Sequence, residues 1–143
     1  MKRNIQAVDV PESELMKRYR DAKDAYRDAE KTLERVTKTI KDAMLKYARA
    51  EVGDVVELVE NHPSMETWGW HEEKTKMTVC KVSVNEELLS YGAGRPSDDN
   101  FKALAAYCIQ YEGIAVYPDG ELVYPHVIDD DRVLELRKVG RVK

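Results

Sequence analysis

One heptad pattern fills the N-terminal third of the chain and restricts how that part can fold. Apolar residues recur at alternating spacings of four and three from Leu15 to Ala50 without a break. Between Pro11 and Gly53 the sequence contains no glycine and no further proline. Such spacing places all of these side chains along one stripe of an α-helix, which is typical of a coiled-coil seam. We therefore predict one long helix over residues 11–52, with the glycine after its last residue.

The stripe alternates between large and small residues. The a positions are Tyr19, Tyr26, Leu33, Ile40 and Tyr47, and the d positions are Leu15, Ala22, Ala29, Val36, Ala43 and Ala50. In a parallel pair the alanine layers would face each other and leave voids, which cost stability. In an antiparallel pair each a residue faces a d residue, and a register centred between Leu33 and Val36 pairs Tyr19 with Ala50, Tyr26 with Ala43, Ile40 with Ala29 and Tyr47 with Ala22. The sequence thus predicts an antiparallel homodimer or higher oligomer, and the alternatives are packing within the chain or against a foreign helix.

After Gly53 the apolar period changes to two, which indicates β-strands. The predicted strand segments are 54–60, 76–84, 105–113, 114–124 and 132–139, with an insertion over 61–75 and a loop over 85–101. Pro118, Asp119 and Gly120 form a predicted turn. Five short antiparallel strands in about 90 residues predict a small barrel or a strongly bent sheet. The expected fold is α+β, with a flexible N-terminus (1–10), a coiled-coil helix (11–52) and a small β-barrel (53–143).

The segments GDVVEL, MTVCKVSV and YPDGEL together resemble an SH3-like barrel. A long helix followed by such a barrel is similar to small proteins encoded by bacteriophages and other mobile elements. The resemblance covers about residues 52–140 and rests on strand patterning. It implies a binding module more than an enzyme, with a role as an inhibitor or modulator of a host protein.

Charge is distributed unevenly along the chain. Residues 15–50 carry eleven Lys/Arg against six Asp/Glu, whereas residues 51–143 carry ten against eighteen. An acidic C-terminal part is repelled by phosphate backbones, so nucleic acid is disfavoured as its partner. The alternative hypothesis is nucleic-acid binding by a basic helix face, comprising Arg18, Arg20, Lys31, Arg35, Lys38 and Lys41.

The sequence contains no recognisable catalytic or metal-binding motif. His62, His71 and His126 lack the short spacings of zinc sites. Cys80 and Cys108 lie in apolar strand patterns and are predicted to be buried thiols. We therefore expect no enzyme activity, no catalytic residue, no cofactor and no metal. No apolar run approaches the length of a membrane span, so we also expect a cytoplasmic protein with no membrane partner.

Aromatic residues supply the candidates for partner binding. Trp68 and Trp70 flank a glycine, and they are either an exposed anchor or part of the barrel core. The predicted contact residues are Trp68, Trp70, Tyr91, Arg95, Tyr111 and Tyr117. The resulting hypothesis is a self-associating interaction protein whose partner has a basic surface. A further alternative is a small ligand in a pocket lined by tyrosines and Arg95.

Overall fold

The computed structural model describes residues 10–64, 66, 68–92 and 100–142, and it shows the predicted α+β class. The helices are α1 (Glu12–Leu45), α2 (Glu86–Gly92) and α3 (Phe101–Cys108). The strands are β1 (Asp54–Ser64), β2 (Gly69–Val84), β3 (Ile109–Val116), β4 (Leu122–Asp129) and β5 (Val133–Arg141), with a 3-10 turn at Asp130–Arg132. The chain divides into two compact units, Met1–Ile40 and Lys41–Lys143. We call the second of these the β unit.

The predicted long helix is confirmed over 34 residues, but its predicted extension to residue 52 is wrong. Helix α1 begins where the Pro11 carbonyl accepts hydrogen bonds from the N–H groups of Glu14 and Leu15. Glutamates in the first turn are favourable beside the positive end of the helix dipole. Beyond Leu45 the backbone forms two tight turns, so Tyr47 and Ala50 are not on the helix.

The helix ends early because the segment after it is bound to distant parts of the β unit. The backbone N–H of Arg49 donates a hydrogen bond of 2.9 Å to the Tyr111 hydroxyl. The Arg49 guanidinium donates to Oδ1 of Asp130 and to the backbone carbonyls of Asp130 and Val133. Nothing local in residues 46–50 breaks a helix, and its end is therefore set by these tertiary contacts.

The five strands form one antiparallel sheet in the order β4-β3-β2-β1-β5. Strands β4 and β5 are its two edges, and they do not pair with each other in the described part of the chain. The sheet is open, and the predicted closed barrel is therefore wrong.

One face of the sheet forms the core. Burial alternates along the strands, as expected for a sheet with one face in the interior. The buried apolar residues of the sheet include Val56, Leu58, Met77, Val79, Ile109, Tyr111, Ala115, Ile128 and Val133. Residues outside the sheet complete the core, among them Met44, Ala50, Leu89, Ala105 and Cys108.

Two predicted segments have a different secondary structure. Residues 105–108 were expected in a strand, but they belong to α3, which is rich in alanine and is capped by the Asn100 side chain. Residues 61–75 were expected as an insertion, but β1 and β2 continue through most of them as a hairpin. The turn at residues 118–120 is confirmed, with Gly120 at φ 88°. No helix among the described residues is long and apolar enough to cross a membrane.

Candidate interaction surfaces

The apolar stripe of α1 is open to solvent over most of its length. Every residue from Pro11 to Val36 is exposed. Tyr26 and Leu33, in the middle of the stripe, are 70% and 65% exposed. A stripe of exposed apolar side chains of this length is unusual on a protein surface, so α1 is a candidate interaction surface.

A shallow hollow lies in this stripe above Ala22. Its volume is about 470 Å³. The residues that line it are Tyr19, Ala22, Lys23, Tyr26, Arg27 and Glu30. The Lys23 ammonium lies 5.3 Å from the centre of the Tyr19 ring. The hollow lies between the Tyr19 and Tyr26 side chains, on either side of Ala22 along the helix.

The predicted oligomerisation residues separate into two groups. Those from Leu15 to Ala43 are on α1, with Ile40 and Ala43 half-buried. Tyr47 lies beyond the helix, and its ring centre is 6.0 Å from that of Phe101. Ala50 is buried in the core of the β unit. The last two residues therefore do not take part in a helical seam, and the predicted pairs of Tyr19 with Ala50 and Tyr47 with Ala22 are wrong.

The basic residues proposed for nucleic-acid binding are interleaved with acids along α1. Arg18 pairs with Glu14, four residues earlier on the helix. Lys41 pairs with Glu86 of α2. Asp24 also lies near a basic residue, with its Oδ1 atom 3.8 Å from the Arg27 guanidinium. These neighbouring carboxylates reduce the positive field that a phosphate backbone requires.

The hairpin of β1 and β2 extends beyond the other three strands. Its ladder is continuous from Val55 opposite Thr78 to Ser64 opposite Gly69. Strand β3 pairs with β2 only over residues 76–84, and β5 pairs with β1 only over residues 54–60. Residues 61–64 and 69–73 therefore form a two-stranded projection, and we call the segment 61–73 the arm.

Both tryptophans of the chain are on this arm, and both are exposed. Trp68 lies in the connecting turn with 91% of its surface exposed, and its backbone φ is 55°. Trp70 is on β2 opposite Pro63 and is 65% exposed. Neither ring therefore closes the core, and the possibility that they form part of it is wrong.

A buried polar cluster lies at the base of the arm. Glu60 is the last β1 residue before the arm and is 0% exposed. Its Oε1 lies 2.8 Å from Nε2 of His126 on β4. The Tyr117 hydroxyl is 3.3 Å from the other ring nitrogen, Nδ1. Because an ionised carboxylate only accepts, Nε2 donates to Glu60, and in the neutral ring Nδ1 then accepts from Tyr117.

The protonation of Glu60 depends on two opposing effects. Burial is the largest single effect and raises the pKa of Glu60. The hydrogen bond from His126 and the further electrostatic effects of Thr75, His126 and His62 together outweigh it, and the pKa lies below its ordinary value of 4.5. The Thr75 hydroxyl lowers this pKa further, although neither it nor Oε2 of Glu60 forms a hydrogen bond of ordinary geometry within the described residues. The cluster therefore holds a buried carboxylate in its charged form.

Further contacts fix the arm to the rest of the β unit. Arg132 donates to the Asn61 carbonyl at 3.3 Å and lies 3.4 Å from Nδ1 of His62. The rings of His62 and His71, on opposite strands of the arm, are 5.7 Å apart. All three histidines thus lie at or near the base of the arm, although they are far apart in sequence. The sequence contained one signal for this cluster. Glu60 continues the alternation that places Val56 and Leu58 in the core, and this pattern indicates a buried carboxylate.

The other predicted contact residues have mixed outcomes. Tyr111 is 1% exposed and its hydroxyl donates to Asp130 Oδ1 at 2.7 Å, so it is a core residue and unavailable to a partner. Burial, with this hydrogen bond, raises the pKa of Tyr111 well above its ordinary range. Tyr117 is half-buried. The Tyr91 side chain and Arg95 lie outside the described residues.

A groove of about 680 Å³ lies on the outer face of the sheet. Charged residues of both signs line it, among them Glu57 and Lys76, together with Tyr117 as its tyrosine. The small-ligand hypothesis required a pocket lined by several tyrosines, and this groove does not have that composition.

The two cysteines and the possible metal ligands complete the survey. Cys108 is buried, and burial raises its pKa. Cys80 is exposed, which corrects the prediction that both thiols are buried. Within the described ranges, no group of three His, Cys, Asp or Glu side chains is placed to hold a metal ion.

No family model, curated protein or solved structure matches the chain.

Proposed function

We propose that the protein is a self-associating interaction protein that pairs α1 antiparallel with the same helix of a second copy. The observation that carries this proposal is the exposed stripe from Leu15 to Val36, which alternates large and small residues. Burial of such a stripe against a second helix removes apolar surface from water, which is the main driving force of association.

The observed helix favours a register centred between Arg27 and Asp28. In this register residues 12–43 of the two copies overlap, which uses nearly the whole of Glu12–Leu45. Tyr26 faces the partner's Ala29, and Ala22 faces the partner's Leu33. Large residues again meet small ones along the centre of the seam, so no void is left between them.

The hollow above Ala22 matches this register. The partner's Leu33 enters it between Tyr19 and Tyr26, and the two-fold axis repeats the contact at the other hollow. A leucine knob surrounded by four residues of the facing helix is the unit of coiled-coil packing.

Charge on the flanks of the seam also favours this register. The e positions that face each other are Lys23 of one copy and Glu30 of the other, and the symmetry places this pair twice in the dimer. A shift by one heptad toward the C-terminus instead places Glu30 against Glu30. Like charges at such positions are unfavourable and select against that alternative.

A dimer of this kind presents two β units to a partner. Each copy contributes one β unit to the pair. Two linked copies bind a repeated or dimeric target with greater avidity than one copy. In the phage setting that the sequence resemblance implies, the bound partner is a host protein.

Light scattering tests the proposal. We expect twice the chain mass to persist across about a hundredfold dilution. Leu33→Asn places a polar group in the seam and should give the monomer mass. Glu34→Asn, one residue away on the outer side of the helix, is the matched control and should leave the mass unchanged. A monomer from the unsubstituted chain, or an unchanged mass for Leu33→Asn, would overturn the proposal.

A further inference from the structure

We infer that the arm, residues 61–73, binds a lysine- or arginine-bearing segment of a partner protein, with Trp68 and Trp70 as its contact residues. This inference does not depend on the pairing of α1, because the arm lies wholly within the β unit.

The backbone of Trp68 is the first observation. Its φ of 55° lies in the left-handed region, which bulky residues rarely adopt, and glycine would occupy it at lower cost. The same side chain is 91% exposed. A large residue that is strained in its backbone and uncovered in its side chain does not stabilise the fold, and such residues occur at functional sites.

The rigidity of the arm is the second observation. The β1–β2 ladder shows no register shift up to the pair Ser64 and Gly69. The arm is fixed at its base by Arg132, which donates to the Asn61 carbonyl, and the rings of His62 and His71 lie 5.7 Å apart across its two strands. Trp70, which lies within this ladder, is therefore presented in a defined position, and little conformational entropy is lost when it binds a partner.

The charge of the arm identifies the chemistry of the partner. Residues 61–73 include three glutamates and two histidines but no lysine or arginine. Glu66 and Glu72 are exposed. Cations bind both to the faces of tryptophan rings and to carboxylates, and a guanidinium is able to do both at once. An anionic membrane or a nucleic acid is repelled by the same carboxylates.

The natural fluorescence of the chain reports on this surface alone, because its two tryptophans are both on the arm. The probe is a twelve-residue peptide of alternating arginine and glycine, titrated into the full chain. We expect a saturable shift of the emission to shorter wavelength that weakens with added salt, since partly exposed ion pairs are screened. The matched control peptide carries glutamate in place of arginine and should give no shift.

Two variants separate binding from folding. Trp68→Gly removes the ring and suits the left-handed backbone, so the melting temperature should hold or rise while the affinity falls by about tenfold or more. Trp70 remains as the fluorescent reporter. The double variant Glu66→Gln/Glu72→Gln keeps both rings and should also weaken peptide binding and reduce its salt dependence.

Several results would overturn the inference. These are no shift with the arginine peptide, an equal shift with the glutamate peptide, or undiminished affinity in Trp68→Gly. A shift with vesicles of neutral phosphatidylcholine, without one from the peptide, would identify a membrane surface as the ligand instead. Failure of the helix-pairing proposal would leave the peptide titration unchanged, because the readout comes from the arm.

Discussion

Glu60 on β1 and His126 on β4 meet at 2.8 Å although two strands, β2 and β3, lie between theirs in the sheet. A flat sheet would hold strands three places apart at about 14 Å, since neighbours are about 4.7–4.9 Å apart. The sheet is therefore strongly curled, and its two sides approach each other at the base of the arm. The hydrogen bond joins these sides without closing the sheet into a barrel.

The variant Glu60→Gln should lower the free energy of unfolding at neutral pH by about 1–3 kcal/mol, since it weakens a buried charge-assisted hydrogen bond. Urea unfolding measures the change. Glu57→Gln is the matched control, because Glu57 lies on the same strand but its ion pair with Arg137 is exposed. We expect that control to remain close to the unsubstituted protein. Equal stability of Glu60→Gln and the unsubstituted chain would show that the buried pair contributes nothing.

The same pair predicts how stability depends on pH. The folded-state pKa of Glu60 lies below its ordinary value of 4.5, so the carboxylate contributes its full stabilisation above that value. This contribution is lost as the pH falls through the lowered folded-state pKa. Urea unfolding in a series of acidic buffers should therefore show a shallower loss of stability for Glu60→Gln than for the unsubstituted chain. Parallel curves for the two proteins would contradict the prediction.

Gly113→Ala should destabilise the β unit by about 1–3 kcal/mol or more, because overpacking forces backbone shifts. A Cβ atom at Gly113 would lie 1.9 Å from the Thr78 backbone carbonyl oxygen, where β2 and β3 approach closely. Gly140→Ala is the control in another strand, where a new Cβ would meet Val55 at an ordinary 3.8 Å. Thermal unfolding of both variants checks the prediction, and a similar melting temperature for the two would refute it.

Tyr111→Phe should lower the free energy of unfolding by about 1–3 kcal/mol, the cost of leaving buried polar groups unpaired. The hydroxyl accepts from the Arg49 N–H and donates to Asp130, and the substitution removes both hydrogen bonds. Tyr124→Phe is the matched control at an exposed position, and its effect should stay within about 0.5 kcal/mol. If denaturant unfolding finds the two variants equally stable, the network that ends α1 does not stabilise the fold.

Sequence periodicity was sufficient for the long helix because residues 12–45 have an uninterrupted apolar stripe and no breaker. It was sufficient for the turn at 118–120 because proline and glycine determine that geometry locally. It was insufficient for the end of α1, since residues 46–50 are compatible with a helix and are held by Tyr111 and Asp130, far along the chain.

Parts of the candidate sites also depend on contacts that no local pattern contains. The exposed state of Trp68 follows from the length of the arm, which is set by where β3 and β5 stop pairing. The cluster of Glu60 with His126 follows from the curl of the sheet. The sequence around Tyr111 does not distinguish it from the exposed tyrosines of the chain. Its burial became evident only from the register of β3.

The register proposed for the helix pair predicts which cysteine pairs will cross-link between two copies, in a background where Cys80 is replaced by serine. A chain with Ala22→Cys mixed with a chain with Leu33→Cys should form a disulfide-linked heterodimer, because these positions face each other. A mixture of Ala29→Cys with Leu33→Cys should not, since those residues meet only after a shift of one heptad. Nonreducing gel electrophoresis separates the two outcomes.

Charge reversal tests the same register without cysteine. Lys23→Glu alone and Glu30→Lys alone should each weaken the dimer, because each places like charges together twice across the pair. The double variant Lys23→Glu/Glu30→Lys should restore it by recreating both opposite-charge pairs. Lys31→Glu, on the outer side of the helix, controls for the change in net charge. Light scattering at several concentrations measures how strongly each variant dimerises. If the double variant dimerised more weakly than both single variants, the register would be wrong, because restored pairing requires these two positions to face each other.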